Sequence, residues 1–148
     1  MNIQKLMQDL RRDEGVRYQV YDDATGQPIQ AGDTLQGHPT IGVGRNLTAA
    51  RGVSDLEVDT MLDNDCRIVV RELDHALPWW RNLSDGRQRA LANMAFNLGM
   101  PTLQRFSRML RALEAGEYEA AAREALDSRW ARQVGARAER IAELFREG

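Results

Sequence analysis

The sequence predicts an α+β fold with a small N-terminal lobe, a long connecting helix and an all-helical C-terminal lobe. The N-terminal lobe combines a helix with a β-hairpin or small antiparallel sheet. Three observations predict this fold: apolar residues at helical spacing near the N-terminus, β-type alternation over residues 16–45, and helical periodicity interrupted by glycines afterwards. We expect one domain over residues 1–148, with lobes at about 1–53 and 78–148 and the connector at 54–77.

The first predicted helix covers about residues 2–14. Ile3, Met7 and Leu10 form an apolar stripe whose next position is Glu14, and Gly15 ends the helix. A carboxylate on such a stripe loses water, and the carbonyl end of a helix disfavours its charge, so both effects favour the neutral acid. A neutral acid suits general-acid catalysis. The alternative is an ordinary surface glutamate on a slightly rotated helix.

The second segment predicts strands at "VRYQVY" and "PTIGVG", separated by a long loop or an extra hairpin. Asp23 follows the first strand. It either meets Glu14 across a cleft or acts as a turn-former through hydrogen bonds to the backbone.

The connector helix is predicted to begin after Ser54, with Glu57 at the spacing of a capping box. Cys66 is expected to be packed on this helix. Trp79 and Trp80 are expected to pack against it, after a break at Pro78. Its predicted buried side consists of Leu56, Met61, Leu62, Ile68, Val69 and Leu73. A helix from Ser84 to about Gly99 follows, and then helices at about 102–115, 117–129 and 135–147.

Composition excludes several classes of function. The chain has 148 residues, of which 43% are hydrophobic and 28% charged, as in a soluble globular protein. Residues 1–75 carry 8 Lys+Arg against 13 Asp+Glu and residues 76–148 carry 12 against 9, giving −5 and +3, without a run of like charges. This pattern disfavours nucleic acid as the main partner. With one cysteine and two histidines, neither a disulfide nor a metal site is expected.

Several motifs together resemble the phage-type lysozymes, the endolysin family of muramidases similar to glycoside hydrolase family 24. They are "DEG" at the end of the first helix, Asp23 nine positions after Glu14, "PTIGVG", "RQRALANMAFNLG", "SRW" and "RAERI", in that order. The resemblance covers nearly the whole chain and implies a lysozyme-like fold. It implies hydrolysis of the β-1,4 bond between N-acetylmuramic acid and N-acetylglucosamine in peptidoglycan, without a cofactor, leading to bacterial lysis.

The resemblance also assigns roles to three residues of the N-terminal lobe. Glu14 would be the proton donor, and Asp23 the second carboxylate, acting as general base or charge stabiliser. Thr40 would hold the attacking water, with a plain strand residue as the alternative. The family is usually taken to invert, which requires carboxyl groups about 6.5–9.5 Å apart. The sequence itself leaves inversion and retention open.

Four further residues match family positions in the helical lobe. Arg137 would pair with the catalytic glutamate, and Ile141, Leu144 and Phe145 continue its helix face; the alternative is a solvated arginine. Asn97 and Phe96 would line the sugar groove, and Trp130 would lie beneath it. For Phe96 and Trp130, core packing is the favoured role.

Two departures from the family pattern stand out. Arg45 occupies the place of a family histidine, and Asp65 matches that histidine's acidic partner, so an Arg45–Asp65 ion pair is expected. Sixteen residues separate Asp23 from Thr40, more than in compact members. This insertion, residues 24–39, is expected to enlarge the hairpin, and it would undermine the assignment of Thr40 if it displaced that residue.

The biological setting is also an expectation. No segment is apolar enough to cross a membrane or serve as a signal peptide. We therefore expect a monomer without stable membrane insertion that stays in the host cytoplasm until a holin-type protein releases it to the periplasmic wall. A phage, prophage or bacteriocin source fits equally. The alternatives are a lytic transglycosylase, which the pair Asp23 and Thr40 disfavours, and an inactive peptidoglycan-binding protein, which the two carboxylates disfavour.

Overall fold

The computed structural model describes residues 1–49 and 52–148, which form two compact units, Met1–Asp55 and Leu56–Gly148. The predicted α+β fold is confirmed: a helix and a three-stranded antiparallel sheet precede a long helix and a series of shorter ones. In the described ranges, no helix is both long and apolar enough to span a membrane. The grouping of residues 1–148 into a single domain stays a prediction.

The first helix, α1, covers Ile3–Glu14, close to the predicted bounds. The side chain of Asn2 caps it by accepting a hydrogen bond from the N–H of Lys5 at 3.0 Å, and Gly15 ends it with a positive φ of 75°. The expectation of a buried apolar stripe is wrong, because α1 has no buried residue. The buried apolar side chains described in the chain all lie in the second unit, so the described part of the first unit has no apolar core against which the stripe could pack.

The sheet has the strand order β1-β2-β3 and is antiparallel throughout. Its strands are β1 at Arg17–Asp22, β2 at Pro39–Gly42 and β3 at Arg45–Asn46. Thr40 lies opposite Tyr21 on β1 and Asn46 on β3. The insertion does not form a full extra hairpin; it is a loop joined to β1 by one isolated bridge, Tyr21 to Pro28.

The connector helix, α2, covers Asp55–Ala76 and begins directly after Ser54, as predicted. Its predicted buried side is only partly correct, since Val69 and Leu73 are its buried residues. The other four predicted residues are 45% to 77% exposed, namely Leu56, Met61, Leu62 and Ile68. Cys66 is also exposed, contrary to prediction. The helical core reaches only the C-terminal part of α2, which the periodicity of the helix does not reveal.

The helical unit continues with a short 3₁₀ helix and six α-helices. They are the 3₁₀ helix Pro78–Asn82, α3 Asp85–Leu98, α4 Met100–Leu103, α5 Ser107–Glu114, α6 Tyr118–Leu126, α7 Arg129–Val134 and α8 Ala136–Glu147. The predicted helix at 102–115 is therefore split, whereas the predicted helix at 117–129 ends three residues early and α7 begins at its last position. The first is interrupted at residues 104–106. The second ends at Leu126, because the side chain of Ser128 accepts the N–H of Ala131 at 3.0 Å and starts α7.

Apolar side chains from all parts of this unit form its core. The largest completely buried ones are Phe145, Leu73, Leu91, Met94, Leu103, Met109 and Leu113. Trp80 is also buried, and its indole N–H donates to Asp74 of α2 at 2.8 Å. The predicted packing of Trp80 against the connector helix is thus confirmed.

Candidate active site

Glu14 is the last residue of α1 and its side chain is exposed. A Cβ placed on Gly44, in the turn between β2 and β3, would lie 3.8 Å from Glu14 Oε2, so the carboxylate lies beside this turn. The prediction that Glu14 is shielded from water is wrong. Its side chain is exposed, and so is the apolar stripe of α1 that precedes it. The position at a helix end followed by glycine is as predicted.

Asp23 follows β1 directly and is exposed. Two hydrogen bonds join it to His38: its Oδ1 accepts the main-chain N–H of His38 at 2.6 Å, and its own N–H donates to the His38 carbonyl at 3.1 Å. A Cβ on Gly37 would come within 2.1 Å of Asp23 Oδ1. The carboxylate is therefore held closely against the main chain of residues 37–38.

Thr40 remains on β2 despite the insertion and is only 3% exposed. Its hydroxyl donates to the carbonyl oxygen of His38 at 3.2 Å. This carbonyl also accepts the N–H of Asp23, so one peptide unit contacts both predicted site residues of the sheet. The long insertion therefore leaves Asp23 and Thr40 connected through His38.

Asp22 is a buried carboxylate that the sequence analysis did not single out. It is 5% exposed and accepts three main-chain N–H groups, from Gln36 at 2.6 Å, Ala24 at 2.9 Å and Gly37 at 3.0 Å. These hydrogen bonds, that of Gln36 foremost, hold the pKa of Asp22 below its ordinary value, although burial opposes them. The signal for its burial was the strand alternation, which places Asp22 on the same face as the half-buried Val20.

The imidazole of His38 belongs to a second polar cluster beside the sheet. Its Nδ1 lies 3.1 Å from Thr48 Oγ1, and the Thr48 hydroxyl lies 2.8 Å from Asn46 Oδ1. The same Asn46 oxygen also accepts the N–H groups of Thr48 and Ala49, which identifies it as the amide's acceptor atom. The Thr48 hydroxyl thus lies between this oxygen and the His38 ring, and the tautomer of His38 decides which of the two accepts its proton.

Arg45 donates to the carbonyl oxygen of Gly52 within the first unit. Asp65 lies on α2 and is exposed. Their ion pair stays a prediction.

In the helical unit, Arg137 is half-buried on α8 and binds Asn93 of α3. Its Nε donates to Asn93 Oδ1 at 2.9 Å and its Nη2 to the Asn93 carbonyl at 3.3 Å. Ile141 and Phe145, on the same helix face, are buried, which agrees with the predicted inward direction of that face. The pairing of Arg137 with the catalytic glutamate stays a prediction.

Phe96 is 47% exposed, so the favoured core role is wrong for this residue. It lines an open, mainly apolar pocket of about 380 Å³, together with Arg137, Asn93, Leu62 and Cys66. Phe96 is therefore a lining residue of this pocket rather than part of the buried core.

Trp130 is 4% exposed, which confirms its core role. Its ring meets Phe106 edge to face, with centroids 6.4 Å apart, and its indole N–H donates to Asn97 Oδ1 at 2.7 Å. An open pocket of about 570 Å³ lies next to both rings and carries Arg105, Arg108 and Arg129 on its rim. Asn97 is exposed, and its oxygen is already used by Trp130, so its NH₂ group is the part suited to a ligand.

Among the described residues, no group of three or more histidine, cysteine, aspartate or glutamate side chains could hold a metal ion. The family model described as Phage lysozyme matches residues 11–146. The chain belongs to the phage lysozyme family. It is therefore a member of a family of glycoside hydrolases, and this membership implies peptidoglycan hydrolysis.

Three relatives illustrate the range of this family. The chain is 34% identical over 155 residues to the pre-baseplate central spike protein Gp5 of Enterobacteria phage T4, covering 94% of this chain but 27% of the spike protein. It is 24% identical to the probable T4-type lysozyme 2 of Dictyostelium discoideum, covering 99% of this chain and 96% of the relative. The probable T4-type lysozyme 1 of the same organism is 20% identical, with coverages of 94% and 92%.

Proposed function

We propose that the chain is a muramidase that hydrolyses the β-1,4 bond between N-acetylmuramic acid and N-acetylglucosamine, with Glu14 and Asp23 as its two carboxylates. The observation that carries the proposal is the main chain of His38, whose N–H donates to Asp23 Oδ1 at 2.6 Å and whose carbonyl oxygen accepts the Thr40 hydroxyl at 3.2 Å. Because Asp23 is exposed and His38 binds its Oδ1, we take Oδ2 as the oxygen that would accept the proton of the attacking water. Family membership supplies the substrate class.

In the proposed reaction, Glu14 gives its proton to the glycosidic oxygen as the bond from that oxygen to the anomeric carbon breaks. A water attacks the anomeric carbon and passes a proton to Asp23, so that one carboxyl loses a proton and the other gains one. The Thr40 hydroxyl donates to His38, and its lone pairs can accept a hydrogen bond from that water. Because Glu14 is exposed in the free chain, the bound sugar would supply its water-poor setting.

Two residues of the helical unit are proposed to assist. Arg137 uses Nε and Nη2 on Asn93, so its Nη1 is the atom that would bind the Glu14 carboxylate. The NH₂ group of Asn97 would donate to the acetamido oxygen of a sugar, because Trp130 holds the amide in a fixed orientation. Both roles come from the family resemblance, and these contacts within the helical unit support them.

We propose an endolysin role, in which a monomer waits in the host cytoplasm until a holin-type protein opens the membrane. A second candidate role is supported by the 34% identity to a phage spike protein of which the chain spans 27%. In that role, the same hydrolysis would open the wall on entry. Detection of the protein in purified phage particles would favour the spike role, and its absence there would favour the endolysin role.

The deciding experiment for the function is Glu14→Gln, which preserves size and removes the donated proton. We expect hydrolysis of purified peptidoglycan, measured as new reducing ends, to fall by roughly 10²- to 10⁴-fold. Asp13→Asn is the matched control, because Asp13 is the exposed neighbour on the same helical turn and pairs with Arg12 only on the surface. Undiminished activity of Glu14→Gln would reject the proposal, and anhydro sugars in the product mass spectrum would indicate a transglycosylase instead.

A further inference from the structure

Two adjacent carboxylates divide three consecutive main-chain amides between them. Asp22 accepts the N–H groups of Gln36 and Gly37, and Asp23 accepts the next N–H along the chain, that of His38. The donors lie fourteen and fifteen residues away from their acceptors, at the far end of the insertion. The two aspartates therefore connect the end of β1 to the segment that leads into β2.

The two aspartates differ in their surroundings. Asp22 is buried and its carboxylate accepts three main-chain N–H groups, whereas Asp23 is exposed and binds His38 through Oδ1. A buried carboxylate that accepts several N–H groups is fixed in place, since any movement would leave charged and polar groups unpaired away from water. Asp22 is thus suited to hold the main chain of residues 36–37 in place, whereas Asp23 is suited to react with a ligand.

We propose that Asp22 is a positioning residue of the active site, which fixes residues 36–38 so that the main-chain N–H and carbonyl groups of His38 can orient Asp23 and Thr40. The proposal rests on the proposed function of Asp23 and Thr40. Asp22 itself touches neither substrate nor water in this role. It acts through His38, whose N–H holds Asp23 and whose carbonyl holds Thr40.

The close packing around Gly37 restricts movement of residues 36–38 relative to Asp23 and Ala24. A Cβ on Gly37 would lie 2.1 Å from Asp23 Oδ1 and 2.8 Å from both the main-chain nitrogen and the Cβ of Ala24. All three atoms belong to Asp23 or Ala24, whose main-chain N–H groups donate to the His38 carbonyl and to Asp22 Oδ1, so these atoms cannot easily move away. A small displacement of residues 36–38 would therefore be passed directly to the Asp23 carboxylate.

The test is Asp22→Asn, which retains the size of the side chain but replaces one acceptor oxygen with an NH₂ group that faces N–H donors. We expect kcat on soluble peptidoglycan fragments to fall by roughly 10- to 100-fold, the cost of misplacing a catalytic group by about 1 Å, while KM changes less than twofold. We also expect hydrogen exchange of the His38 amide, followed by NMR, to accelerate at least tenfold. A loss of stability alone would not produce this combination.

Asp33→Asn is the matched control. Asp33 belongs to the same insertion, and its carboxylate accepts the main-chain N–H of Gln30 at 2.7 Å rather than one of the amides at residues 36–38. This variant should leave kcat and His38 exchange unchanged. Gly37→Ala serves as a second test, because it displaces the Asp23 carboxylate while Asp22 stays intact, and it should lower kcat in the same way.

Folded Asp22→Asn with kcat within twofold of the parent and unchanged His38 exchange would overturn the proposal. If Asp22→Asn does not fold, full activity of Gly37→Ala would overturn it. If the parent chain itself hydrolyses no peptidoglycan, the proposed function fails. The link from Asp22 to His38 is then decided by the exchange measurement alone.

Discussion

The interiors of the two units differ in the interactions that stabilise them. In the described part of the first unit, the buried residues are Asp22 and Thr40, both polar. In the helical unit, the core consists of apolar side chains from Val69 to Phe145. The first unit is thus specified by directed hydrogen bonds to the main chain, and the second by the removal of apolar surface from water. We infer that mutations in the second unit act mainly on stability, and mutations in the first mainly on the geometry of the site.

The largest effect should come from emptying the apolar core. Phe145→Ala removes a completely buried ring and should lower the free energy of unfolding by about 3–5 kcal/mol, measured by urea denaturation. Leu10→Ala is the control, since Leu10 is 43% exposed on α1 and should cost less than about 1 kcal/mol. An equal loss for Leu10→Ala would contradict the comparison, because it would mean that the α1 stripe is buried in solution.

A smaller effect is expected for the polar interior of the first unit. Thr40→Val deletes the hydroxyl that binds the His38 carbonyl and should reduce stability by about 1 kcal/mol in urea denaturation, the usual cost of one hydrogen bond. The rate of peptidoglycan hydrolysis should fall by more than this small loss of stability can explain, because the proposed water site is lost. Thr40→Ser retains the hydroxyl and should recover most of the activity. If Thr40→Val were fully active, Thr40 would be a plain strand residue.

The smallest effect concerns a surface cluster of the helical unit. Hydrogen bonds from Arg81 and then from the Trp80 indole lower the pKa of Asp74 to about 2. Because the folded value is depressed, this contribution to stability is complete above pH about 4 and is lost as the pH falls toward 2. Asp74→Asn should therefore lower the melting temperature by a few degrees at most at pH 7, since the Arg81 and Asp74 side chains are 51% and 42% exposed and solvent screens their interaction. The difference should vanish near pH 2, and a difference that persists there would contradict the assignment.

The sequence predicts the elements well where local residues decide them. Gly15 and Gly99 end their helices with positive φ, and α2 and α3 begin directly after Ser54 and Ser84. It predicts burial poorly, because helical periodicity indicates an apolar face but not whether anything covers that face. This is why the stripe of α1 and the N-terminal part of α2 were wrongly expected to be buried.

In the candidate site, too, the sequence identifies the residues that local patterns mark and misses one that depends on long-range contacts. Glu14 and Asp23 were found from their places at the ends of α1 and β1, and their roles came from the family resemblance. Asp22 was missed because its partners lie up to fifteen residues further along the chain, at the end of an insertion whose path local patterns do not determine. Strand alternation places Asp22 on the face of the half-buried Val20, but the sequence does not show the long-range hydrogen bonds that hold it there.

Each of the two units carries one residue type that occurs once in the chain and can be labelled selectively. Lys5, whose main chain completes the cap of α1, is the single lysine of the chain, and the exposed Cys66 on α2 is its single cysteine. An amine-reactive dye at or near Lys5 and a thiol-reactive dye at Cys66 would place one fluorophore on each unit of the unmutated protein. Energy transfer between the two dyes would then follow the separation of the units while the enzyme works on cell-wall fragments.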